Sequence, residues 1–162
     1  NWNFLNTGEV GEIVFKSPTN TIGYLKNDEE TEKALKDGWL LTGDLGYIDD
    51  EGYLFIVDRK KSLIIRGGEN ISTLEVENAL DRHANILESC VCGIDDPKFG
   101  EIVGAYIYCN ADVSEEAIKE FLNESIAGYK VPEVLHISKD PLPRIATEKI
   151  DRVGIKKILS SQ

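Results

Sequence analysis

The chain begins with short apolar runs punctuated by Gly, Asn, Asp and Pro and continues with longer runs of two distinct periods. In the first segment Glu12–Phe15, Tyr24–Leu25, Trp39–Leu41 and Tyr53–Val57 read as short strands, with Asp49-Asp50-Glu51-Gly52 as a strong turn signal, so a small β subdomain is expected. The charged tetrad Asp58-Arg59-Lys60-Lys61 then breaks the apolar pattern before Leu63-Ile64-Ile65 and marks a domain boundary. Beyond it helical and extended periods alternate. Ser72-Thr73-Leu74-Glu75 is a capping box, in which the Ser oxygen accepts from an early helical N–H, and it predicts a helix from about Thr73 to His83. Ile86–Ile94 and Ile102–Cys109 are β-rich runs joined by a polar loop with Asp95, Asp96, Pro97 and Gly100, which predicts an antiparallel pair.

Between Ser114 and Ala127, Ala117, Ile118, Phe121, Leu122 and Ile126 recur at helical spacing. Glu115 and Glu116 favour the N-terminal end of that helix dipole, and Gly128 is its expected stop. Val134–Ile137 predicts a last strand, followed by a Pro-bounded loop at 141–143 and a basic helix from about Asp151. The fold class is therefore α+β: a β subdomain over residues 1–60, then a compact α+β domain over 61–162 with two to three helices on a small sheet.

Composition narrows the function. With 41% apolar and 29% charged residues among 162, the chain is an ordinary globular one. A net charge of −11 opposes wide contact with phosphate backbones or anionic membranes, which need clustered cations, so no nucleic-acid partner is expected. No apolar run approaches the ~20 residues that span a bilayer, and the first residues lack a signal-peptide layout. No integral membrane segment and a cytoplasmic location follow as expectations. Cys90, Cys92 and Cys109 are an odd number, which suits a reducing compartment and a role as small apolar residues. His83 and His136 lie in different elements with no Cys at ligand spacing, so no metal site is expected within the chain. Phosphate-loop, dinucleotide and paired-His zinc motifs are absent from the sequence.

Several remaining segments carry a resemblance. Gly8-Glu9 through Gly23-Tyr24, Thr42-Gly43-Asp44, Gly52-Tyr53 through Arg59-Lys60-Lys61, Ile65-Arg66-Gly67-Gly68-Glu69-Asn70-Ile71, Tyr129-Lys130-Val131-Pro132 and Pro143-Arg144 through Lys149-Ile150-Asp151-Arg152 stand in the order and spacing of the adenylate-forming superfamily. That superfamily contains acyl-CoA synthetases, adenylation domains of peptide synthetases and beetle luciferases. The resemblance covers essentially the whole chain and implies the C-terminal part of an acyl-CoA synthetase. The large N-terminal domain, with its phosphate loop and acyl pocket, would be a partner within the same polypeptide.

The resemblance assigns roles residue by residue. Asp44 would hold the ATP ribose, and its residue type suits paired hydroxyl donors; spacing alone favours an Asp that bonds its own turn backbone, and the resemblance reverses that preference. Arg59 would reach the ribose and phosphate side of the nucleotide, and Lys61 would be the hinge about which the small domain swings. Gly67 and Gly68 would line the pantetheine channel of CoA, or simply form a bulge or hairpin turn. Tyr129 would stack on the CoA nucleotide, or close the preceding helix as a core residue. Lys149 would bridge the attacking carboxylate and the α-phosphate during adenylation. ATP with Mg2+, the metal held mainly by the N-terminal part, CoA and a carboxylic acid are the implied cofactors and substrates. Two other readings keep the fold: loading of a carrier-protein phosphopantetheine, and a degenerate binding module. One departure stands out, since Glu148 occupies the place where the family usually has Gly before the lysine. A left-handed backbone there would cost roughly 1 kcal/mol or more.

Overall fold

The computed structural model describes residues 3–162. The backbone divides into two compact units, the first ending at Lys61 and the second covering Ser62–Gln162.

In the first unit every strand pairs with one long strand. β1 (Gly11–Phe15), β2 (Leu35–Lys36) and β4 (Leu54–Arg59) all run antiparallel to β3 (Trp39–Ile48). β2 and β3 are joined by Asp37-Gly38, both at positive φ, as a tight two-residue hairpin requires. At the β3–β4 connection the Asp49 carboxylate accepts the N–H groups of Glu51 and Tyr53. The expected strand at Tyr24–Leu25 does not form. Lys26 takes a left-handed backbone (φ 55°), and the Asn27 N–H bonds the Tyr24 carbonyl, closing a turn. That turn leads into a helix the apolar pattern did not signal, α1 (Asp28–Ala34), because it buries nothing. Its signal is polar instead: the Asn27 side chain caps Glu30 N–H, and Asp28, Glu29 and Glu30 fill the first turn.

The second unit carries the buried apolar core. Its sheet contains the β5–β6 hairpin (Ile64–Arg66, Glu69–Ile71), the long antiparallel pair β7 (Ile86–Asp96) and β8 (Gly100–Cys109), and β9 (Val134–Ser138), which runs parallel to β8. Both faces of this sheet are covered. Val91, Val103, Ala105 and Ile107 share one cluster with Val76 and Leu80 of α2 (Thr73–Leu80) and Ile118 and Leu122 of α3 (Glu115–Asn123). Cys90, Ile94 and Tyr106 join Ile155 and Leu159 of α4 (Arg152–Leu159) in the other. Two-sided burial explains why β7 and β8 read as near-continuous apolar runs. Gly104 allows the close fit of α4, since a Cβ there would lie 2.7 Å from Ile94 and 3.4 Å from Leu159.

The expected capping box is present at its Ser end, where the Ser72 hydroxyl accepts from Glu75 N–H. Two helices are shorter than their patterns suggested. α2 stops at Leu80 instead of His83, and α3 stops at Asn123, whose side chain donates back to the Lys119 carbonyl. Gly128 consequently does not end α3; it opens a separate 3-10 turn, Gly128–Lys130. Among the described residues no helix is long and apolar enough to cross a membrane.

Candidate functional site

Thr42-Gly43-Asp44 is not the turn its glycine suggested but a bulge inside β3. Glu12 pairs Leu45 while Val14 pairs Leu41, so three residues of β3 face the single residue Ile13. Gly43 (φ 73°) supplies the left-handed step, and the Thr42 hydroxyl fills the gap in the ladder by donating to the Ile13 carbonyl at 2.8 Å and accepting Asp44 N–H at 3.0 Å. The bulge sets Asp44 directly across from Arg59 of β4. Arg59 Nε stands 2.9 Å from Asp44 Oδ1. Asp44 Oδ2 and both Nη atoms of Arg59 have no protein partner among the described residues. A carboxylate and a guanidinium thus present open acceptors and donors side by side.

Beside them is a groove of about 350 Å³ lined by Tyr24, Leu41, Thr42, Gly43 and the Arg59–Lys61 segment. Lys60 is tied to Glu12 at 2.9 Å, and Lys61 is the last residue of the first unit. Lys33, hydrogen-bonded at 2.9 Å, and more weakly Lys61 hold Glu30 below the usual carboxylate range.

In the second unit Gly67 and Gly68 are the two-residue turn of the β5–β6 hairpin, at φ 58° and 95°. Both positions require positive φ, which is why two glycines stand there. Gly67 N–H bonds the Phe99 carbonyl at 2.8 Å, and a Cβ at Gly68 would meet open space. Arg66, next to the turn, lies over the Phe99 ring at 4.3 Å and pairs with Glu133 at 2.7 Å. That pair brings the hairpin beside the 128–133 segment. Glu133 is therefore a partner for Arg66. Tyr129 is 40% exposed, so it is not the core residue closing α3. Lys130 beside it is held by both oxygens of Glu75 at 2.6 and 2.7 Å.

Lys149 sits on an exposed loop between Arg144 and Ile150, which bridge each other. Ile145 N–H donates to the Lys149 carbonyl and Glu148 N–H to the Ile145 carbonyl, each at 2.9 Å. Glu148 has φ 63°, so the left-handed conformation is present with a non-glycine residue in it. The ammonium of Lys149 has no ion-pair partner among the described residues. Where the chain leaves the loop, Arg152 binds Glu77, whose carboxylate also accepts Val91 N–H at 2.8 Å. Sequence reading passed over Glu77, Glu88 and Arg144; only their charge within otherwise apolar or loop segments could have flagged them.

The two ends of this unit are far apart. Arg66 pairs with Gly100 at the start of β8, whereas Glu88, which grips Arg144, pairs with Tyr108 near its end. At about 3.3 Å per residue the Gly67-Gly68 turn and the anchor of the Lys149 loop are ~25 Å apart along the sheet. Among the described residues no cluster of His, Cys, Asp and Glu could hold a metal ion. Burial pushes the thiols of Cys90 and Cys92 up to about 12 and about 11, so they are inert packing groups.

Residues 75–149 match the AMP-binding enzyme C-terminal domain. A 2-succinylbenzoate–CoA ligase from Bacillus licheniformis is 47% identical over 145 residues, covering 90% of this chain and 30% of that protein. The fold matches o-succinylbenzoate CoA synthetase from Bacillus subtilis, in complex with its acyl-adenylate intermediate, at TM-score 0.85 and 39% identity, over 94% of this chain and 31% of that one. The Bacillus subtilis enzyme in complex with ATP and magnesium ion gives TM-score 0.85 and 38% identity, over 95% and 32% of the two chains. Residues 75–149 thus carry an AMP-binding enzyme C-terminal domain, and the chain as a whole is similar to a part of adenylate-forming CoA ligases. It spans about 30% of the length of the curated relatives it matches.

Proposed function

We propose that this chain is the C-terminal part of an AMP-forming acyl-CoA synthetase that makes an acyl-adenylate and pyrophosphate from a carboxylic acid and ATP, then passes the acyl group to CoA. The observation that carries the reading is the arrangement of the second unit. The loop that bears an unpaired, exposed ammonium is anchored ~25 Å along the sheet from a side-chain-free hairpin, which favours the two acting at one reacting centre in turn, not together. Two orientations in succession allow that. In the first, Lys149 contacts the carboxylate and the α-phosphate and offsets the repulsion of two approaching anions. In the second, Lys149 withdraws and the Gly67-Gly68 turn, with Tyr129 nearby, lines the approach of the pantetheine thiol. Lys61, at the division between the units, is the hinge. Residues 1–60 then close a large N-terminal domain and 61–162 form the mobile one.

Asp44 accepts the ribose hydroxyls and Arg59 reaches the ribose and phosphate side. Magnesium bound with ATP would neutralise phosphate charge, with its ligands mainly in the N-terminal part. The apolar side chains left exposed on β4, Leu54, Phe55 and Ile56, suit burial against such a domain. The acid is 2-succinylbenzoate, on the strength of 47% identity to a ligase of that name. The cytoplasm is the site of action. The test is ATP–pyrophosphate exchange by the full-length protein with 2-succinylbenzoate and other aromatic and aliphatic acids, followed by thioester formation with CoA. Exchange selective for 2-succinylbenzoate supports the reading. Exchange with transfer to a carrier-protein phosphopantetheine but not to CoA, or no exchange with any acid, refutes it in favour of the carrier-loading or degenerate alternatives.

A further inference from the structure

The left-handed backbone at Glu148 is strained for a residue with a side chain, and such a conformation persists only where its surroundings over-determine it. The surroundings here form a three-step chain that starts in the sheet. Glu88 lies on β7 beside a register shift between Ile86 and Glu88. One of its carboxylate oxygens accepts Leu142 N–H at 3.3 Å and the other is gripped by Arg144 Nη2. The opposite arm of the same guanidinium, Nη1, donates to the Glu148 carbonyl at 2.8 Å. A planar fork reaches two acceptors through two separate nitrogens in fixed directions, whereas all the donors of an ammonium leave one freely rotating nitrogen. The carbonyl held is that of the strained residue, and the next residue is Lys149.

We propose that Glu88 is a positioning residue for Lys149: through Arg144 it holds the Glu148 carbonyl, and so keeps the left-handed turn that aims the lysine. The inference rests on the reading of Lys149 given above and adds how the lysine is placed. A surface ion pair without this role would be nearly neutral. A clamp is not neutral, because misplacing a reacting group by about 1 Å can cost on the order of 100-fold in rate.

The experiment uses the full-length protein with Glu88→Gln, Arg144→Lys, Glu148→Gly and the Glu88→Gln/Glu148→Gly pair. ATP–pyrophosphate exchange with 2-succinylbenzoate, thioester formation from supplied acyl-adenylate, and amide hydrogen exchange over residues 142–150 are measured on each. Glu88→Gln and Arg144→Lys should lower kcat of adenylation about 10- to 100-fold with KM for ATP within about twofold, and leave the thioester step unchanged. Amide exchange over 142–150 should quicken by roughly tenfold or more. Glycine at 148 has no strain for the clamp to hold, so the double variant should return to within about threefold of Glu148→Gly alone. Unchanged amide exchange in Glu88→Gln, or a double variant that loses as much as Glu88→Gln does, overturns the proposal; the amide readout needs no turnover. Failure of the Lys149 reading shows differently, as adenylation that survives Lys149→Ala.

Discussion

Replacing Asp44 by Ala separates a structural role from a functional one by magnitude. The carboxylate is tied to the fold through one oxygen, to an Arg59 side chain that is 72% exposed, and its other oxygen has no partner among the described residues. An ion pair of that exposure is worth at most about 1 kcal/mol, and its loss buries no orphaned charge. The bulge itself is held by Thr42, which bonds the Ile13 carbonyl and Asp44 N–H, and alanine keeps that N–H. Stability should therefore fall by less than about 1 kcal/mol. If the carboxylate takes ribose hydroxyls through its open oxygen, the same change removes hydrogen bonding to a charged acceptor, about 1.5–3 kcal/mol, and raises KM for ATP roughly 10- to 100-fold. The assay is pyrophosphate exchange against ATP concentration in the full-length protein, beside urea unfolding of the same variant. An unchanged KM with a stability loss above about 2 kcal/mol would refute the reasoning and make Asp44 a support for the bulge.

Other outcomes follow from the strained and buried positions. Glu148→Gly relieves left-handed strain of roughly 1–2 kcal/mol. Glycine's extra unfolded-state entropy offsets about 0.5–1 kcal/mol of that, so the urea midpoint should rise slightly with the slope unchanged. A lower midpoint would mean the Glu148 side chain makes a contact worth more than the strain. Burial raises the Cys90 thiol from 9.0 to about 12 despite the nearby Arg152. A folded-state value above the unfolded one gives stability that is complete below about pH 9 and lost as pH climbs toward 12, so urea midpoints should drop over that window and Cys90→Ala should flatten the drop. At neutral pH neither Cys90 nor Cys92 should react with a disulfide reagent until the protein unfolds. Rapid labelling of the native protein would contradict the burial.

What the sequence made legible was what burial writes into it. β7 and β8, covered on both faces, and the cap at Ser72 stood out, and the α+β class followed. Elements held by polar contacts were not legible by period. α1 buries no residue, so its only sequence trace is Asn27 followed by three acidic residues. The two-residue hairpin at Asp37-Gly38 was likewise carried by a dipeptide rather than by periodicity. Thr42-Gly43-Asp44 looked like a turn because a bulge and a turn both ask for glycine, and only the register on β1 tells them apart. At the candidate site, the family resemblance named Asp44, Arg59 and Lys149, while their supports could not be read ahead of the fold. Glu88 and Arg144 lie 56 residues apart in sequence and meet only because β7 and the last loop share an end of the sheet.

The account turns on Lys149 acting in the first half-reaction and being absent from the second. The most direct test is the Lys149→Ala variant of the full-length protein, assayed separately for pyrophosphate release from acid and ATP and for thioester formation from supplied acyl-adenylate and CoA. The account predicts a fall of about 100-fold or more in the first and a change within about threefold in the second. Equal losses in both, or adenylation that survives the substitution, would contradict it.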